Sequence, residues 1–193
     1  MKDYMTGKTH QILGISTAMV YFLTLADHHY NPATFGTVLV FSCVAALLPD
    51  IDQSNSKLWH LLPFGDTAGK MSDPFLKHRN ITHSFLGLGI VGLGFHYLLS
   101  AFPAYWGIDT NLVFNAAMLA YASHLFADMF TNEGIPLLFP YKNFFGLPPK
   151  PFEGARIATG KWFENLVVFP SITIFIIIFT ILNQQIIKTI LFK

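Results

Sequence analysis

The residues able to do chemistry are few, and they recur at the edges of apolar runs. His124 and Asp128 stand four apart in an apolar stretch, so on a helix their side chains rise from one face about 5 to 6 Å apart. That is a chelating spacing. Asp50 and Asp52 flank Ile51 just after Pro49, and in an extended segment positions i and i+2 project to one side, aiming two anionic oxygens at one point. His10 opens the first apolar run, His78 and His83 precede the third, and Glu164 immediately precedes the last. Mixed imidazole and carboxylate ligands suit zinc, manganese or iron better than magnesium or calcium. The eight candidates His10, Asp50, Asp52, His78, His83, His124, Asp128 and Glu164 exceed what one ion uses, so two divalent ions, most readily zinc, with carboxylates bridging between them are the expectation.

The elements that must position these groups follow from the spacing of charge. The chain has 193 residues, 52% hydrophobic and 12% charged, against about 25% charged in a soluble domain. Disorder is excluded by 20 Phe, 7 Tyr and 3 Trp. Nucleic-acid binding is disfavoured by a balance of 12 basic to 11 acidic residues. The single cysteine, Cys43, permits no internal disulfide. Residues 9 to 26, 28 to 49, 80 to 108, 110 to 127 and 165 to 187 contain no Asp, Glu, Lys or Arg, as a bilayer core requires. The fold class expected is all-α: one membrane-embedded domain over 1–193, with five spans near 10–26, 33–49, 84–102, 111–129 and 166–187. The first two are short, about 25 Å at 1.5 Å per residue. Lys2 and Lys8 before the first run also resemble the start of a secretory signal, but Thr24-Leu25-Ala26 is a poor cleavage site, and the run is read as a retained span.

Lys and Arg in the flanks set orientation. The N-terminus carries Lys2 and Lys8, loop 50–83 carries Lys57, Lys70, Lys77 and Arg79, and loop 130–165 carries Lys142, Lys150, Arg156 and Lys161. Loops 27–32 and 103–110 have none. The expectation is a bacterial inner-membrane protein with its N-terminus cytoplasmic and C-terminus outside, which brings a His, Asp or Glu of every span to the cytoplasmic face. Spans two and four arrive there by their C-terminal ends, where the helix dipole favours a cation.

An ordered set of short motifs carries a family resemblance. These are Thr9-His10 with Gly14, Leu48-Pro49-Asp50-Ile51-Asp52, His78-Arg79 followed by Thr82-His83-Ser84, His124 with Asp128, Thr131 with Gly134 and Pro136, and Gly160 with Glu164. Together they resemble the bacterial membrane-bound metal-dependent hydrolase family of the LexA-regulated YdjM type. The resemblance implies hydrolase activity and leaves the substrate open. Asn80 stands where glycine is expected and Lys161 where serine is expected, and neither is a proposed ligand.

The mechanism expected is metal-assisted hydrolysis at the membrane surface, with Asp52 or Glu164 as the proton acceptor. Arg79 and Lys161, cations beside the site, suit a substrate phosphate, and Arg79 points to a phosphoester of a phospholipid or other lipid-linked molecule. A metal transporter would place ligands near the midplane, and a metal-stapled scaffold would leave no open coordination position. Loop 130–165 interleaves Pro136, Pro140, Pro148, Pro149 and Pro151 with Leu137, Leu138, Phe139, Phe144, Phe145 and Phe152, and is expected to lie at the interface as a cap over the site. His96 is read as a core histidine. Thr9, Ser84 and Asn111 are read as helix caps, the glycines of span three as points of close packing, and Pro170 as a bend.

Overall fold

The computed structural model describes residues 7–25, 31–52, 56, 58–59, 81–103, 106–141 and 143–192. Helices fill the five uncharged stretches: α1 (Gly7–Leu25), α2 (Pro32–Ala45), α3 (Phe85–Ser100), α4 (Thr110–Met129) and α5 (Phe169–Leu182), followed by α6 (Gln184–Leu191). Among the described residues there is no strand, only isolated bridges between Thr131 and Ile157 and between Ile135 and Phe145. The all-α expectation holds. Pro32–Asp52, Thr110–Met129 and Glu164–Leu182 are long and apolar enough to cross a membrane, and Phe85–Ser100 is an apolar but shorter helix. Helix α1 has comparable length, 19 residues, diluted by Lys8, Thr9, His10 and Gln11 at its start.

The helix starts are chemically specified. Asn31 caps α2 by accepting from the Thr34 N–H at 2.8 Å, with Pro32 next. Ser84 caps α3 through the Gly87 N–H, as expected. Two cap expectations are corrected. Asp109 rather than Asn111 caps α4, through the Leu112 N–H at 2.9 Å, because the helix begins a residue earlier than the apolar run suggests. Thr9 lies inside α1, and its hydroxyl reaches another helix.

Helix α4 is the hub. Its buried face includes Val113, Ala116, Ala117, Ala120, Tyr121, His124 and Asp128, and the alanines let α1 and α2 approach closely. Gly14 of α1 faces this seam: a Cβ there would sit 2.4 Å from the Ala46 Cβ and 3.3 Å from the Ala120 Cβ. In α3, Gly92 packs against Met118, whereas Gly89 and Gly94 have nothing within 4 Å, so the close-packing expectation fails for those two. His96 is likewise corrected: it is exposed on α3 beside the rings of Tyr97 and Phe114, since the face of α3 that packs on α4 is carried by Gly92, Phe95 and Leu99.

The last span differs from its predicted extent. Residues Glu164–Val168 form a π-helical turn leading into Pro170. Pro170 has no N–H to close an α-helical bond to residue 166, and the widened turn accommodates it. The span ends at Leu182, and after Asn183 the chain starts the separate helix α6, so 166–187 is too long as a single helix. Ile186, Ile187 and Ile190 of α6 pack onto the core cluster of Phe22, Phe35 and Val113. Helix α5 buries none of its residues.

Between α4 and the π turn, the proline-rich loop is compact. The Arg156 guanidinium donates to the carbonyls of Pro148, Asn132 and Gly146 at 2.9, 3.4 and 3.2 Å. Backbone bonds tie the loop to the end of α4 (Leu147 N–H to Met129 O, 2.6 Å) and to the start of α3 (Phe85 N–H to Leu137 O, 3.0 Å). Tyr141, Phe144, Phe152 and Trp162 project outward, and of these Tyr141 and Trp162 carry the amphipathic rings enriched at membrane interfaces.

Candidate metal centre

Five of the eight predicted ligands converge. His10 comes from the first turns of α1, Asp50 from a 3₁₀ turn (Leu48–Asp52) below α2, His83 from the turn before α3, and His124 and Asp128 from the last turns of α4. His10, His83, His124 and Asp128 are 0–2% exposed, and Asp50 is 13% exposed. Around the Asp128 carboxylate lie His10 Nε2 at 3.3 Å, His83 Nε2 at 3.3 Å and His124 Nε2 at 3.8 Å. Asp50 Oδ1 is 3.7 Å from both His83 Nε2 and His124 Nε2. The rings of His10 and His124 stack at 3.6 Å.

These gaps discriminate between chemistries. Hydrogen bonds of this type run about 2.7 to 3.2 Å, whereas two donors bound to one tetrahedral ion at about 2.0 to 2.1 Å lie about 3.4 Å apart. The observed 3.3 to 3.8 Å spacing is looser than a hydrogen bond and matches what donors able to share a cation would show. Two triads, His10–Asp50–His124 and His83–His124–Asp128, each offer donor atoms within 4.8 Å of one another. Buried His10 Nδ1 and His124 Nε2 make no hydrogen bond among the described residues, which is costly for polar atoms unless something else is coordinated there. The residues therefore fit a divalent metal ion.

The surroundings orient the ligands. His124 Nδ1 lies 2.7 Å from the Ala46 carbonyl, which can only accept, so Nδ1 carries the proton and the Nε2 lone pair faces the cluster. His83 presents Nε2 to the cluster and Nδ1 to Thr82 Oγ1 at 3.2 Å and Asp52 Oδ2 at 3.6 Å, while the Thr82 hydroxyl donates to Asp52 at 2.8 Å. Tyr121 fixes that turn by donating to the Thr82 carbonyl. Burial favours the neutral form of His83, but Asp128 and Asp52 outweigh it and raise its pKa to about 9.

The remaining predicted residues fall elsewhere. In the 3₁₀ turn each residue advances about 120°, so Asp50 and Asp52 do not aim at one point as an extended segment would: Asp50 faces Nε2 of His83 and Asp52 faces Nδ1 of the same ring. Glu164 is fully buried, accepting from Thr9 Oγ1 at 2.7 Å and from the Gly160 N–H at 2.6 Å, and neither triad includes it. His78 and Arg79 lie outside the described residues. Sequence reasoning gave Thr9, Thr82 and Gly14 no role in holding the site. Its available signal was the repeated Thr-His pair, Thr9-His10 and Thr82-His83, in which each Thr grips a buried carboxylate.

Comparison with known proteins agrees with a membrane location for these apolar helices. The family model described as YdjM inner membrane protein matches residues 5–187. The uncharacterized protein YvsG of Bacillus subtilis is 32% identical over 166 residues, covering 85% of this chain and 88% of that protein. The inner membrane protein YdjM of Escherichia coli is 34% identical over 147 residues, covering 75% of this chain and 70% of that protein, and the YdjM protein of Shigella flexneri matches to the same extent. No solved structure matches significantly. The family and the apolar helices together support a bacterial inner-membrane location, and the chain belongs to the YdjM inner membrane protein family.

Proposed function

We propose that this chain is a membrane-embedded, metal-dependent hydrolase acting on a phosphoester of a lipid or lipid-linked substrate at the cytoplasmic face. The observation that carries this reading is the convergence of His10, Asp50, His83, His124 and Asp128, with Asp50 the one partly exposed member. A site closed on all sides would suit a structural staple, whereas a ligand open to water suits a reaction. The topology carries over from the charge count, with Lys- and Arg-bearing loops inside. A transporter is disfavoured because the cluster sits at one end of the helices and not at their middle.

A divalent ion held there, zinc in preference to manganese or iron, supplies Lewis acidity and an activated water. His124 has its single ring lone pair at Nε2, and both triads use His124. One imidazole nitrogen holds one ion, so the described residues favour a single ion. Asp50 stands on the open side, placed to accept a proton from an incoming nucleophile. Asp52 acts through His83, holding its ring, and Glu164 joins the start of the last span to α1.

The test is metal analysis combined with turnover of phosphatidic acid and of a chromogenic phosphodiester by purified protein, with and without chelator. His124→Ala and Asp128→Ala are expected to lose the metal and all turnover while still inserting in the membrane. Full turnover in either variant defeats the proposal.

A further inference from the structure

An apolar cleft of about 400 Å³ runs between α1 and α5, lined by Leu13, Ser16, Thr17, Val20, Ser171 and Phe175 among others. Helix α5 is held at both ends, and Ile176 and Phe179 along it pack against the core, which leaves its Ser171–Phe175 stretch to wall the cleft. At one end the Thr9–Glu164–Gly160 hydrogen bonds join it to α1, and at the other α6 packs into the core. The hydroxyls of Ser16 and Thr17 donate to the carbonyls of Ile12 and Leu13 in their own helix, so the α1 wall presents carbon. Lys8 and Lys161, both exposed, adjoin the fastening residues Thr9 and Gly160, and Thr9 adjoins the ligand His10. The cleft volume falls in the range of about 300 to 1,000 Å³ typical of ligand pockets.

We infer that the α1/α5 cleft holds one acyl chain of the lipid whose phosphoester is hydrolysed at the metal centre, with Lys8 and Lys161 receiving its anionic headgroup at the charged end. This rests on the hydrolase reading and names its substrate class: an anionic phospholipid entering sideways from the bilayer. The apolar wall, the flanking cations and the start of the cleft one turn from His10 all select for such a molecule.

The experiment uses the full chain in nanodiscs containing phosphatidic acid with a photoactivatable diazirine on its acyl chain, followed by mapping of labelled residues. Label is expected to concentrate on Leu13, Val20, Ile172 and Phe175. Ser171→Trp should cut that label about tenfold while leaving zinc uptake unchanged, and K8Q combined with K161Q should cut it about thirtyfold, the loss of two surface cations. Even labelling of all exposed apolar faces, or cross-links between two copies at these positions, overturns the proposal. In parallel, Ser171→Trp should reduce turnover of phosphatidic acid about tenfold and spare a soluble phosphodiester; equal loss of both also overturns it. Failure of the unmodified protein to cleave either ester defeats the hydrolase reading, and the labelling pattern still decides the cleft.

Discussion

At the residue scale, two site histidines share one construction: each follows a threonine whose hydroxyl donates to a buried carboxylate from a distant segment, Thr9 to Glu164 and Thr82 to Asp52. The hydroxyl gives the carboxylate a partner where water is excluded, and so fixes the backbone from which the next side chain, the ligand, projects. Partners behind metal ligands typically contribute 10- to 100-fold in affinity. Thr82→Val and Asp52→Asn should therefore each weaken zinc binding by about that factor, measured by competition with a chromophoric chelator, with the helical content unchanged. His83 supplies a pH signature. Its pKa in the folded, metal-free protein is raised from 6.5 to about 9, so the stability it contributes is complete below about pH 6.5 and is lost as pH rises through about 9. Thermal melts of the chelated protein should show a falling Tm over that window, and the trend should vanish in His83→Gln.

At the element scale, small residues decide how close helices come and therefore whether their ligands meet. Gly14 lies one turn beyond His10, against Ala46, whose carbonyl orients His124, and Ala120, one turn before His124. A methyl group there has no space, because the added Cβ would stand 2.4 Å from another Cβ. Gly14→Ala should cost about 1 to 3 kcal/mol of stability by overpacking and lower metal affinity as α1 is pushed outward. Gly89→Ala is the control. It meets nothing within 4 Å and replaces a poor helix former, so it should be neutral or stabilising by up to about 1 kcal/mol. Chemical denaturation followed by circular dichroism separates the two outcomes.

For the whole molecule, the candidate metal centre joins four segments that are far apart in the chain: the start of α1, the turn below α2, the turn before α3 and the end of α4. An ion that binds only the folded arrangement stabilises it by mass action, about 2.7 kcal/mol when free metal is 100 times its Kd. Chelation should accordingly lower the Tm of the unmodified protein and leave His124→Ala unchanged. The charge distribution makes a separate prediction about topology. In intact cells lacking Cys43, a cysteine placed at Lys150 should resist an impermeant thiol reagent, and one placed at Lys193 should react.

The sequence by itself determined the all-α membrane class, because long stretches without charge have few other uses, and it determined which residue types could bind metal. His124 and Asp128 were legible as a pair since helical periodicity alone places them on one face. Asp50 and Asp52 were not, because their relation depends on whether the backbone after Pro49 is extended or coiled, and the 3₁₀ turn there separates them onto opposite nitrogens of His83. The break at Asn183 and the exposure of His96 were also hidden, since both follow from how α5, α6 and α3 sit against their neighbours. Only the tertiary structure decided that His10, Asp50, His83, His124 and Asp128 meet while Glu164 fastens two helices instead. Spacing along the chain sets which face a side chain leaves from, but the distance between faces is set by what fills the space between helices, here a glycine and a row of alanines.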